Sequence, residues 1–298
     1  MKLLLGITFN DYHTHLAILI GIYIILAQSL NLTFGLGRLF NLAHIASYAI
    51  GAYATALLST EVGSSFLVCV AVSMLLSGLF ALSLGAIALR LSTDYFAIGT
   101  LAFSSVVSAL LINWKSLTHG VLGIPGIPRP DIWGIDFYDN SNFLDLILVF
   151  IIATQVFFYI LSAGSFGRTL RALAEYEQAA ATLGKNTRRT RNLAFFFSSS
   201  AAGLAGSFFA YYMQYIDPSS FSLAEMVFVL TIVIVGRPGS FLGVIAATVF
   251  LLLLPEALRR VDISSAYLGP MRQLLYAVIL FVVVWWKRET IFPQQRQV

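Results

Sequence analysis

Six stretches of this chain, residues 16–37, 39–60, 62–89, 95–114, 146–167 and 192–216, contain no Asp, Glu, Lys or Arg. Each reaches the roughly 20 apolar residues that a helix needs to cross a hydrocarbon core about 30 Å thick. Three shorter runs follow: 226–236 and 238–255, separated by the turn-like GRPGS, and 273–286. Repeated charge-free runs of this length restrict the fold severely. Lipid offers the backbone no hydrogen bonds, so a spanning segment must satisfy its own N–H and C=O groups, as a helix does. The predicted class is all-α, a polytopic transmembrane helix bundle of about 8–10 spans forming one domain over residues 1–298. GRPGS reads either as a turn between two short spans or as broken helices meeting inside the membrane, where irregular backbone lines a cavity.

Charged residues make up 11% of the chain and apolar residues 58%, with a mean hydropathy of +0.85. A soluble domain carries about 25% charge, so a soluble enzyme and a disordered protein are both excluded. The single cysteine, Cys69, leaves no intrachain disulfide and no cysteine-rich metal site. The net charge of +4 does not point to nucleic acid, because the basic residues sit between apolar runs and report orientation instead. Segment 168–191 holds Arg168, Arg171, Lys185, Arg188, Arg189 and Arg191, which places it in the cytoplasm together with the tail bearing Lys287, Arg288 and Arg296. Loop 115–145 carries Asp131, Asp136, Asp139 and Asp145 against Lys115 and Arg129, with the Gly/Pro punctuation GVLGIPGIPRP, and reads as external. Nine spans put the N-terminus outside, and also Arg259, Arg260 and Arg272, against the rule. Lys2 followed by LLLGI is too short an apolar core for a signal peptide, so the first long run is expected to be a retained span.

Small residues recur every four positions: Ala43, Ser47, Gly51, Thr55; Ser73, Ser77, Ala81, Gly85; and Ala202, Gly206, Ala210. Such ladders let helices approach closely in lipid, where hydrophobicity does not drive them together. Segment GRTLRALAEYEQAAATLGKNTRRTRN is alanine-rich, and a helix of about three turns ending near Gly184 is expected there. Such a helix either lies on the lipid surface or docks a cytoplasmic partner. Gly184-Lys185 is followed by Asn186 and Ala179 stands five residues before Gly184, so there is no Walker A loop. No HExxH or GxSxG occurs. His44 lies inside a span, where a neutral histidine bonded between helices is the expectation. Arg90 and Asp94 flank a turn, and Glu225 is expected to be exposed beside DPSSF. No span carries two opposed charges of the kind that serve proton- or sodium-coupled carriers.

The motifs together resemble the permease subunits of ABC importers of the branched-chain amino acid type, in particular the LivM-type subunit. The resemblance runs from about Asn31 to Arg259. It is carried by NLTFGLGRLFNLAHIASYAIGAYATALL with its Gly51-Ala52-Tyr53 triplet, by LRLSTDYFAIGTLAF, by GVLGIPGIP and by GRTLRALAEYEQAAATLG. AFFFSSSAAGLAG, DPSSF, VGRPGSFLG and LPEALR follow in family order. The chain departs from the pattern at Arg237, where the family has a second glycine, and at Val244, where it favours proline. NLAH, residues 41–44, is nearer to the sister LivH-type subunit. The resemblance implies half of a heterodimeric channel, with a second permease of LivH type, two cytoplasmic ATP-binding subunits and an external solute-binding protein. ATP hydrolysis would then fall to the partners, and this chain would be no enzyme and carry no cofactor or metal. Segment 164–192 becomes the coupling segment, with Arg168, Arg171, Glu175, Glu177, Ala180 and Gly184 as its candidate residues. Asn31, His44, Gly51, Tyr53, Thr100, Gly203 and Gly206 are the candidates for helix packing or the pathway. The implied solute is a branched-chain or other hydrophobic amino acid, with urea or a short amide as the alternative within the type. A secondary carrier or channel, or a membrane enzyme using His44 or the Arg90/Asp94 turn, are the readings from other classes.

Overall fold

The computed structural model describes residues 11–88, 93–132, 134–259 and 265–286. Lys2, Arg90, Arg260, Lys287, Arg288 and Arg296 lie outside the described residues, as do the side chains of Asp94, Arg259 and Arg272. The described chain is an all-α bundle. Its helices are α1 (Asp11–Leu30), α2 (His44–Thr60), α3 (Phe66–Ala88), α4 (Thr93–Asn113), α5 (Lys115–Thr118), α6 (Asn140–Ala163), α7 (Ser165–Glu175), α8 (Glu177–Thr182), α9 (Thr187–Met213), α10 (Leu223–Val235), α11 (Phe241–Arg259) and α12 (Ser265–Trp286). A π-helical turn, Asn31–Leu36, continues α1 to a 26-residue segment. Five segments are long and apolar enough to cross a membrane by length and composition: Asp11–Leu36, Phe66–Ala88, Tyr95–Asn113, Asn140–Ala163 and Thr187–Met213. α1 and α9 are mostly buried inside the bundle, whereas α4 and α6 turn residues such as Ile98, Val106, Ile152 and Ile160 outward.

Contacts between loops define two ends. At the strand end, β1 (Ile124–Pro125) pairs antiparallel with β4 (Tyr215–Ile216), so the loop after α4 clasps the exit of α9. A second hairpin in the same loop joins β2 (Asp131–Ile132) to β3 (Ile135–Asp136). Gly123 is required here: its φ is +68°, and a Cβ would stand 2.1 Å from the Ile216 carbonyl oxygen. α6 starts at Asn140, where the Asp139 carboxylate accepts from the Ser141 amide at 2.9 Å. Asp145 therefore belongs to α6 rather than to the loop. At the opposite, basic end lie α7, α8, the π-turn of α1 and GRPGS.

The small-residue ladders meet where α2, α3 and α9 pack together. A Cβ on Gly51 would lie 2.4 Å from the Gly203 Cα, and one on Gly206 only 2.2 Å from the Tyr48 carbonyl oxygen. Hydroxyls stitch the same seam. Thr55 Oγ1 lies 2.8 Å from Ser73 Oγ and 2.7 Å from Ser207 Oγ, and Ser77 Oγ donates to the Ser47 carbonyl at 2.8 Å. Polar groups of this kind hold helices together where water cannot compete.

One expected span is shorter than its apolar run, and a second helix is too short to cross the hydrocarbon core. Run 39–60 becomes helical only at His44, so α2 has 17 residues and rises about 26 Å. Residues 39–43 are irregular, and their backbone is satisfied individually. The Leu39 amide donates to the Thr33 carbonyl at 3.0 Å, Leu42 to Thr100 Oγ1 at 3.1 Å and Ala43 to Asn41 Oδ1 at 3.1 Å. α10 has 13 residues, about 20 Å, which falls short of a 30 Å core. GRPGS joins α10 and α11 as a tight hairpin, in which a Cβ on Gly243 would stand 1.9 Å from the Gly236 carbonyl oxygen. Irregular backbone within the bundle thus lies at 37–43, while GRPGS itself sits at the basic end.

Candidate functional site

The coupling segment is two helices rather than one. Tyr176 is extended (φ −151°, ψ 91°) and separates α7 from α8. α7 is held inward by Leu170 and Leu173, while Tyr176 is exposed, so the break frees α8 from the direction of α7. Gly184 closes α8 as expected. Its φ is +75°, its amide donates to the Ala181 carbonyl at 3.0 Å, and the Lys185 amide donates to the Ala180 carbonyl at 3.2 Å. That pair of bonds is a Schellman turn, which a glycine in the left-handed region completes without a Cβ clash. Ala180 is buried within this chain, so it cannot be the face offered to a partner. All of α8 but Ala180 is exposed, and its largest apolar groups lie at the two ends, Tyr176 58% and Leu183 78% exposed. Glu177 pairs with Arg191 at 2.7 Å and so ties α8 to the start of α9. Arg168 donates to the Ala163 carbonyl at 2.9 Å and Arg171 to the Ser162 carbonyl at 3.0 Å, which anchors α7 to the end of α6.

Beside α7 opens a cavity of about 370 Å³ that connects the coupling segment to the bundle. Arg171 and Glu175 line it from α7, Arg38 from the turn after α1, and Arg237, Gly239 and Ser240 from GRPGS. Arg38 and Arg237 both hold positive φ, +49° and +67°, an arrangement that costs on the order of 1 kcal/mol each for a residue with a Cβ. The wall formed by GRPGS is pinned to α1. Asn31 Oδ1 accepts from the Gly239 amide at 2.7 Å, and Gln28 Nε2 donates to the Phe241 carbonyl at 2.7 Å. Asn31 is therefore a fastening between α1 and the α10–α11 turn.

His44 is bonded between helices, as expected. Its Nε2 lies 2.9 Å from Ser29 Oγ and 3.3 Å from the Leu26 carbonyl oxygen, while Nδ1 is buried with no partner. Ser29 already donates to the Leu26 carbonyl at 2.7 Å, so the proton is assigned to Nε2. Ser198 extends the same network by donating to the Ser29 carbonyl at 2.6 Å. Thr100 fixes residues 40–42 through the Leu42 amide. Gly51, Gly203 and Gly206 are packing residues in the α2–α3–α9 seam. Tyr53 is buried, with its hydroxyl unpartnered and its ring 6.0 Å from Phe221.

Glu225 departs from expectation. It is half-buried and accepts a short hydrogen bond from the Tyr23 hydroxyl across 202 residues of sequence. Tyr23 lies at the middle of the segment Asp11–Leu36. The carboxylate therefore stands deep in the bundle, because α10 is too short to carry its first turn to the strand end. Segment 214–222 follows the chain down to it. There Asp217 caps the 3₁₀ turn Pro218–Phe221 by accepting from the Ser220 amide at 3.0 Å and hydroxyl at 2.6 Å. Burial pushes the Asp217 carboxyl up, but its bonds from Ser220 and Ser219 outweigh this and hold it below its ordinary value. Phe221 then packs on Tyr48 at 5.2 Å and Phe209 at 5.9 Å. Sequence reasoning missed Tyr23 and Tyr48 and placed Glu225 at the surface. The available signal was that 226–236 is too short to span, preceded by SLAE. Among the described residues no group of three or more His, Cys, Asp or Glu could hold a metal ion.

Residues 12–284 match the family described as branched-chain amino acid transport system / permease component. Two curated relatives are high-affinity branched-chain amino acid transport system permease proteins LivM. The one from Escherichia coli is 34% identical over 94% of this chain and 70% of its own length. The Salmonella typhimurium protein is 34% identical over 92% of this chain and 68% of its own length. A probable branched-chain amino acid transport permease protein LivM from Methanocaldococcus jannaschii is 24% identical over 92% of this chain and 91% of its own length. No solved structure matches the chain. With a bundle of apolar helices and a family match over nearly its whole length, the chain belongs to the branched-chain amino acid transport system permease family.

Proposed function

We propose that this chain is one of two permease subunits in an ATP-driven importer of branched-chain or other hydrophobic amino acids, seated in a prokaryotic cell membrane. The basic end faces the cytoplasm and the strand end faces the external binding protein, as the charges of 164–192 and 115–145 favour. The observation that carries the coupling role is α8. An apolar tip, Tyr176 and Leu183, is held outward by a salt bridge and a Schellman turn in a chain with no nucleotide-binding loop of its own. One ATP-binding subunit docks on this tip, and a second docks on the corresponding segment of the LivH-type permease.

Closure of the ATPases displaces α8 and, through α7, the wall of the arginine-lined cavity. That wall is GRPGS, which is bonded to α1 through Asn31 and Gln28. A push at the basic end therefore reaches α1, α10 and α11 together and biases one of two bundle arrangements. Affinity rests with the binding protein, because a transit path must also release its solute. The test is Leu183→Asp in the co-expressed complex. It is expected to remove the ATP-binding subunit on purification and to cut leucine uptake by about tenfold or more, a loss of about 1.4 kcal/mol or more of coupling. The permease pair should stay intact. Full retention of the ATP-binding subunit refutes the docking role.

A further inference from the structure

α10 begins where a spanning helix does not ordinarily begin. Its sequence start, Ser222-Leu223-Ala224-Glu225, has the form of a capping box, in which the serine and the glutamate close each other's backbone amides. Neither half of the box is made. Ser222 makes no side-chain cap, and Glu225 is turned away to Tyr23. Ser222, Leu223 and Ala224 are exposed, while the rest of α10 is largely buried. The result is an uncapped helix N-terminus that opens onto accessible space at the depth of mid-segment Tyr23, carrying the positive end of the helix dipole.

Two side chains converge on that N-terminus. Glu225 has one donor, Tyr23, for a carboxylate that takes up to four hydrogen bonds, and among the described residues no lysine or arginine pairs with it. Tyr48 is 1% exposed, and its hydroxyl has no partner. Its ring lies 5.2 Å from that of Phe221, two residues before the helix start. A buried donor without an acceptor and an ionisable group deep in a membrane helix are both costly to maintain. Anionic capacity at Glu225 and cationic capacity at the helix N-terminus lie within one turn of each other. A ligand that carries an ammonium and a carboxylate on one carbon complements both at once.

We propose that the first turn of α10, with Glu225 and the Tyr48 hydroxyl, is a transit site for a zwitterionic amino acid. The amides of the first turn receive its carboxylate and Glu225 receives its ammonium, with Tyr23 holding the Glu225 side chain in place. This rests on the import of amino acids proposed above. The two opposed charges bind the part common to all amino acids, which leaves side-chain selection to the binding protein.

The experiment uses the complete importer in proteoliposomes, with labelled leucine as the probe, and follows uptake, ATP hydrolysis and subunit stoichiometry for three variants. Glu225→Gln should lower uptake by about tenfold or more and Tyr48→Phe by about threefold, at unchanged stoichiometry. Tyr23→Phe, which keeps the carboxylate, should retain at least about half of the uptake. If Tyr23→Phe loses as much as Glu225→Gln, the carboxylate merely fastens α10 to α1 and the site is refuted. Uptake within about twofold of the parent for Tyr48→Phe also overturns it, and this variant decides the matter if Glu225→Gln fails to assemble, because the lost hydroxyl has no partner in the fold. An importer whose unmodified form takes up no leucine, isoleucine or valine refutes the proposed function itself, and the site with it.

Discussion

Gly206→Ala should damage this protein more than any comparable change at an open glycine. An added Cβ would stand 2.2 Å from the Tyr48 carbonyl oxygen, 2.7 Å from the Ala52 nitrogen and 3.2 Å from the Gly51 carbonyl carbon. All three neighbours are backbone, so no rotamer change can relieve the contact. To reach ordinary van der Waals separation α2 and α9 must part by about 1 Å, and overpacking of this kind costs about 1–3 kcal/mol. The α2–α9 seam also holds the Thr55–Ser207 contact at 2.7 Å, which stretches as these two helices part. With about 0.6 kcal/mol for that interhelical bond in a membrane protein, the total comes to about 1.5–3.5 kcal/mol. The reference is Gly63→Ala. Gly63 has φ +65°, and a Cβ added there would meet nothing within 4 Å, so that change carries backbone strain alone, about 1 kcal/mol. Reversible unfolding in mixed micelles, followed by a probe on α9, measures both. If Gly206→Ala costs no more than Gly63→Ala, close approach of α2 and α9 is not what holds this seam.

Asn31→Ala leaves the Gly239 amide without its acceptor and should cost about 1–3 kcal/mol locally, read as faster amide hydrogen exchange over residues 237–241 than in the parent. Asp217 supplies a pH dependence. Its folded-state value lies below the ordinary carboxylate value of about 3.9, so its contribution to stability is present above about pH 4 and is lost as the pH falls through the lowered folded value. Ser220→Ala removes the hydroxyl donor, though not the Ser220 amide, and should narrow that acid-side loss in a stability-against-pH titration. An unchanged profile would mean that the bonds from Ser220 do not set the Asp217 charge.

Much of this protein is written locally along the chain. The charge-free runs specify spanning helices because a lipid environment leaves the backbone no other partner than its own helix. The ladders through Gly51, Ser77 and Gly206 foretell which faces meet, since a small residue every fourth position is already a stripe on a helix. Gly184 was legible as a helix stop because the left-handed turn there needs only a glycine and its immediate neighbours. Other features depend on depth and on distant partners, which no local pattern encodes. Run 39–60 looks uniformly apolar, yet residues 39–43 are irregular because Thr33 and Thr100 supply the bonds that a helix would otherwise make. Residues 172–184 read as one helix, but extended Tyr176 divides them into α7, which buries Leu173, and α8, which buries Ala180. SLAE reads as an ordinary capped helix start beside an exposed turn. Only the packing of α10 against α1 draws Glu225 away from its own helix to Tyr23, and so leaves a carboxylate and an open helix N-terminus side by side at the depth of mid-segment Tyr23.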